Sequence, residues 1–271
     1  MKPTHEINND CVAFAFYGVV GTAESIGTFY NDLIVWFNSV GCPPDKLSVH
    51  GTGFGGKPAV FAKTHARLSK QGFSDIKGIT VFSMLPDGTV PTLDWWAISS
   101  LDLGVALRPY FILTARASIT SLEDVAVARL VSSCVSNLNP AYGIGFHRNH
   151  DQDPWFYAAG MNFSSGGQGT ADKYEEALTV SRWGDLGMVE EVYKQGILRD
   201  VYLHNYLSEP QLARRIGKQT LKEWISQVPS RGTLTKLVDR MMLWKVDAEQ
   251  IGFVREELWK ANAILNWKDY L

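Results

Sequence analysis

Ile79–Ser99 reads ITVFSMLPDGTVPTLDWWAIS. Two apolar, β-branched and aromatic runs flank Pro86-Asp87-Gly88. Proline presets the first turn position, and aspartate and glycine tolerate the rest, so the tripeptide marks a chain reversal. The stretch predicts a β-hairpin. A hairpin joins antiparallel neighbours, whereas a doubly wound parallel sheet needs a helix between strands.

The flanks agree. Val12–Val20, VAFAFYGVV, is a buried strand by its continuous apolar run. Ser25 opens a helix whose apolar set, Ile26, Phe29, Tyr30, Leu33, Ile34, Phe37 and Val40, paints one stripe, closed by Gly41 and Pro43-Pro44. Leu47–His50 and Tyr110–Ala117 are further strands, and Val60–Gln71 is a helix stopped by Gly72. Ser121 with Asp124 caps a helix over Leu122–Asn137, and Tyr142–Phe146 follows as a strand. The expected class is α+β, with a mixed, largely antiparallel sheet and packed helices.

The second half is richer in helix. Ala171–Arg182 and Leu186–Gln195 carry helical patterns, with Ile197–Leu203 a strand after them. Ser208 caps Pro210–Ile216, and Thr220 with Glu223 forms a capping box before Leu221–Gln227. Gly232–Leu237 and Met241–Val246 form a hairpin across Asp239-Arg240, before a last amphipathic helix carrying Ile251, Val254, Leu258 and Ala261. Ser164–Gly169 is linker-like. The expected division is an α+β half, 1–163, and a helix-rich half with a short hairpin, 170–271, packed as one compact unit.

Bulk properties narrow the function. The chain has 271 residues with a net charge of −2, so no basic field draws nucleic acid or an anionic membrane. Its three cysteines, Cys11, Cys42 and Cys134, stand far apart, which suits a reducing compartment. The N-terminal MKPTHEINND is polar, and no apolar run is long enough to span a membrane. A cytoplasmic protein is expected.

Gly51, Gly53, Gly56 and Lys57 fall in HGTGFGGKP, which matches both GxGxxG and GxxxxGK. Such strings hold phosphate on backbone N–H groups at a helix N-terminus. Pro58 stands where a P-loop requires Ser or Thr, so a glycine-rich loop with no ligand competes with a phosphate site. His147, Arg148, His150, Asp151 and Asp153 form a dense polar loop. It contains metal-ligand types, but no second cluster supports them, and no metal or cofactor is expected. Trp155, Phe156 and Tyr157 follow; three consecutive aromatics cannot all face one core. The loop and these rings are the expected partner-binding surface. Arg199 and Asp200 lie in the expected Ile197–Leu203 strand, where alternation puts them on opposite faces. Buried, they need partners: an ion pair, or alternatively a ligand. No catalytic set is evident, for there is no GxSxG elbow and no HExxH.

The later half resembles the immunity proteins of type VI secretion and other polymorphic toxin systems. The resemblance lies in PAYGIGFHRN (Pro140–Asn149), WFYAAGMN (Trp155–Asn162), RDVYLHNYLSEPQLARRIG (Arg199–Gly217) and RGTLTKL (Arg231–Leu237). It implies a non-enzymatic protein that blocks a toxin by direct binding, with no catalytic residue carried over. The rival expectation is a small-molecule or nucleotide-binding enzyme using Gly51–Lys57. Self-association into a homo-oligomer is the third.

Overall fold

The structure is a computed structural model, and it describes residues 9–104, 109–161, 171–189, 192–238, 240–266 and 268. The chain forms two compact units. The first comprises Met1–Pro140 and His147–His150, and the second Ala141–Phe146 and Asp151–Leu271.

In the first unit the elements run β1 (Asp10–Tyr17), α1 (Ala23–Ser39), β2 (Lys46–Gly51), β3 (Phe54–Gly55), β4 (Ala59–Val60), α2 (Phe61–Gln71), β5 (Ile76–Met84), β6 (Trp95–Asp102), β7 (Tyr110–Arg116) and α3 (Val125–Leu138). Its strands pair antiparallel in the order β1-β7-β6-β5-β2-β3, with β4 also on β2. The expected Pro86–Gly88 hairpin is β5 against β6, with Val81 opposite Ser99. Every residue of β6 and β7 is buried, so both faces of these strands are covered, and their apolar residues come in unbroken runs, Trp95–Ile98 and Tyr110–Leu113, rather than alternating. Helix α1 buries Phe29, Tyr30, Leu33 and Phe37, and Phe29 meets Phe111 of β7 edge-on at 4.7 Å. Thr22 and Ser25 cap this helix reciprocally. Helix α3 starts later than its sequence signal. Asp124 accepts hydrogen bonds from the Ser121 N–H and from both neighbouring hydroxyls, closing a turn ahead of the helix.

Strand β8 (Tyr142–Asn149) is divided between the units, its first five residues belonging to the second. The second unit continues with α4 (Pro154–Ala159), α5 (Ala171–Val189), β9 (His204–Leu207), α6 (Glu209–Leu212), β10 (Arg215–Ile216), β11 (Gln219–Thr220), α7 (Leu221–Gln227), β12 (Thr233–Val238), β13 (Met241–Lys245) and α8 (Ile251–Lys260). Its strands pair antiparallel in the order β8-β9-β13-β12. The chain is thus α+β, as the sequence implied, and helices are denser in the second unit. The Thr220–Glu223 capping box is formed. The linker-like Ser164–Gly169 lies outside the described residues, as does Asp239 of the β12–β13 turn.

Three expectations need correction. Helix α5 runs unbroken through Trp183–Asp185, where a break between Ala171–Arg182 and Leu186–Gln195 was expected, and Val192–Gln195 is a 3-10 turn. Ile197–Leu203 is not a strand. Leu198 makes a single parallel bridge to Ile264, and the segment is otherwise irregular until β9 begins at His204. The Asn205 amide competes for its backbone: it accepts the Tyr202 N–H at 3.0 Å and donates to the Tyr202 carbonyl at 2.7 Å. The helix expected over Pro210–Ile216 ends at Leu212. The chain then reverses in the small β10–β11 hairpin, with Gly217 at φ +61° between its strands.

Candidate functional site

Among the described residues, a cavity of about 500 Å³ opens in the second unit. That volume falls within the range of small-ligand pockets. Five segments build it: Tyr157 from α4, Glu176, Thr179 and Val180 from α5, Arg199, Asp200 and Tyr202 from the irregular segment, Arg255 and Trp259 from α8, and Ile264 beyond that helix.

Arg199 is fully buried. Its Nη2 donates to the Tyr157 carbonyl at 2.7 Å and its Nη1 to the Ala158 carbonyl at 3.3 Å. These carbonyls end the short helix α4, so the guanidinium serves as its C-terminal cap. The same guanidinium lies 4.3 Å from the Tyr157 ring centroid and 6.0 Å from that of Tyr202. The Tyr157 and Tyr202 hydroxyls meet at 3.1 Å, and Phe146 packs against both rings. Burial raises both tyrosine pKa values, well above the ordinary range for Tyr202, so both phenols stay protonated at neutral pH.

Toward the rim the Arg255 Nε donates to the Asp200 Oδ1 at 2.6 Å, and the Val201 N–H donates to the same oxygen at 2.7 Å. Burial raises the Asp200 carboxyl pKa, while Arg255, the Val201 N–H and Arg199 pull it back down. Arg255 and Trp259 stand one turn apart on α8, beside the buried Val254 and Leu258. The described lining contains no Cys, His, Ser or Lys. It offers protonated phenols, a guanidinium–carboxylate pair and aromatic walls.

Of the residues the sequence singled out, only Tyr157, Arg199 and Asp200 line this cavity. The expected polar loop is partly regular. His147, Arg148 and Asn149 extend β8, and His150–Gln152 make one 3-10 turn. His147 is exposed. His150 is half-buried in the first unit, where its Nε2 lies 3.0 Å from the Leu93 carbonyl and its ring tilts against Trp95 at 4.9 Å. In the second unit Asp151 is exposed and Asp153 precedes α4 at φ +47°. Trp155 and Phe156 are half-buried, their rings perpendicular at 5.0 Å. Among the described residues no three His, Cys, Asp or Glu side chains converge as a metal would require.

Gly51, Gly53 and Gly56 lie in and beside the tight β2–β3 hairpin, where Gly51 pairs with Phe54. The next helix, α2, begins only at Phe61, and Lys57 is exposed. The glycines permit close approach. A Cβ on Gly51, at φ +155°, would sit 2.4 Å from the Asp75 carbonyl oxygen. Arg67 of α2 donates to the Gly53 carbonyl at 2.6 Å and stacks on Phe54, tying the hairpin to the helix. Cys42, in the turn after α1, is buried, like Cys11 and Cys134.

Glu176, Tyr202, Arg255 and Trp259 were not singled out in the sequence. One signal was present: Arg255 and Trp259, four apart, border the apolar stripe of α8 rather than its polar face.

No protein-family model matches the chain, and no curated protein sequence matches it. Its fold is similar to that of the Pseudomonas aeruginosa T6SS protein PA0821, with a TM-score of 0.59 at 13% identity. The superposition covers 94% of this chain and 73% of that one. No helix among the described residues is long and apolar enough to cross a membrane.

Proposed function

We propose that this chain is a binding protein of type VI secretion, an immunity-type protein that neutralises a partner toxin in the cytoplasm by direct contact rather than by catalysis. The observation that carries this reading is the fold likeness to a T6SS protein over 94% of the chain. The sequence resemblance in the later half points the same way. The contact we assign in the second unit is Asp151–Phe156. There an exposed carboxylate, a half-buried Asp153 and the crossed rings of Trp155 and Phe156 stand side by side. Aromatic anchors beside polar groups are the usual composition of interface hot spots.

The test is survival. A candidate toxin taken from the gene neighbourhood is induced in a sensitive host with and without this chain. Restored growth supports the reading. Unchanged killing by every neighbouring candidate contradicts it.

A further inference from the structure

The Asp200–Arg255 pair is made edge-on. A carboxylate and a guanidinium often join through two parallel hydrogen bonds, which use both oxygens and two nitrogens. Here the only hydrogen bond between them runs from Nε to Oδ1, and Oδ1 is shared with the Val201 N–H. The two Nη groups of Arg255 and the Oδ2 of Asp200 are therefore left out of the pair. Both side chains line the cavity and both reach solvent, at 47% and 22% exposure. A donor edge and an acceptor edge of opposite charge thus stand together at one opening.

The rest of the lining sets the balance of charge. Among the described lining residues Arg199 and Arg255 stand with Asp200 and Glu176, two charges of each sign. A ligand with one charge would leave the cavity with a net charge of its own sign, partly out of water, which is costly. A ligand carrying both signs leaves none. Apolar surface lies beside this polar edge: the Trp259 indole at the rim, with Val180, Tyr202 and Ile264.

From this the geometry points to a small-molecule site for a free α-amino acid with an aromatic or branched apolar side chain. The carboxylate bonds to the Arg255 Nη groups and the ammonium to the Asp200 Oδ2. The side chain lies against Trp259 and the apolar wall. The Tyr157–Tyr202 hydroxyl pair and the capping role of Arg199 hold the floor rigid, so little ordering is left for the ligand to supply. This site is independent of the proposed toxin contact and requires no partner protein.

The probes are L-phenylalanine, phenylacetate and phenethylamine, each at about 10 mM, with the melting temperature of the full chain as readout. Phenylalanine is expected to raise it by about 3 °C, because a ligand bound only by the native state stabilises that state. The two singly charged analogues are expected to give under a third of that shift. Arg255→Gln and Asp200→Asn should each abolish the effect. Trp259→Ala, at a half-exposed rim position, should weaken it and serves if either polar variant fails to fold. No shift with phenylalanine, an equal shift with either analogue, or an undiminished shift in the folded variants would overturn the assignment.

Discussion

The guanidinium of Arg199 lies 4.3 Å from the ring centroid of Tyr157 while donating to that residue's own backbone carbonyl at 2.7 Å. One buried cation thereby fixes both the side chain and the backbone at the end of α4. Removing it leaves the Tyr157 and Ala158 carbonyls without that donor and a void beside two tyrosines. Arg199→Met is expected to destabilise the second unit by about 3 kcal/mol. Arg199→Lys should also cost about 2 kcal/mol, since an ammonium cannot reproduce a flat fork that bonds two carbonyls while stacking on a ring. Urea denaturation followed by near-ultraviolet circular dichroism measures both.

Tyr157→Phe removes one hydroxyl from the Tyr157–Tyr202 pair and leaves the ring against Arg199 and Phe146. The expected loss is about 1 kcal/mol, and Tyr202→Phe should cost a similar amount. The double variant should cost less than the two losses added, because both hydroxyls belong to one hydrogen bond. Additive losses would show that the hydroxyls have separate partners.

The glycine-rich string separates a phosphate cradle from a hairpin turn. Gly51→Ala places a Cβ against the Asp75 carbonyl oxygen at a positive φ, and a loss of about 2 kcal/mol is expected. Lys57→Ala, at an exposed position, should change stability by less than about 0.5 kcal/mol. Inorganic phosphate should protect the parent no more than either variant in a thermal melt.

Asp94 predicts a pH dependence. The N–H groups of Val90 and Thr89 donate to its Oδ2 at 2.8 Å each, and they hold its carboxyl below the ordinary aspartate range. A folded pKa below the unfolded one contributes stability that is present above the unfolded value of roughly 4 and is lost as pH falls through the folded value. Asp94→Asn should therefore be less stable than the parent at neutral pH, and the difference should close in acid. Denaturation midpoints of both proteins between neutral pH and about pH 2 test the sign.

Much of the fold was legible because its signals are local. Pro86-Asp87-Gly88 gave the β5–β6 hairpin, the Thr220–Glu223 pair gave the start of α7, and Gly41 and Gly72 marked helix ends. The Ile197–Leu203 strand failed on a side chain: the Asn205 amide takes up backbone groups of Tyr202 that a ladder would need. The candidate site was legible only in part. Arg199 and Asp200 attract notice as charges in an apolar run, but their partners Tyr157 and Arg255 lie 42 and 55 positions away in the chain. Periodicity within one element carries no information about such convergence. Of Trp155-Phe156-Tyr157, the structure sends Tyr157 into the cavity and leaves the other two half-buried, as a short helix must divide three consecutive side chains.

The immunity role is tested most directly by isothermal titration of this chain against the candidate toxin from its gene neighbourhood, with Trp155→Ala as the comparison. The account predicts a one-to-one complex with a dissociation constant on the order of nanomolar. It further predicts at least about tenfold weaker binding by Trp155→Ala, as for a hot-spot aromatic, with the native circular dichroism spectrum retained at the titration temperature. A toxin that binds neither protein, or binds both equally, would contradict it.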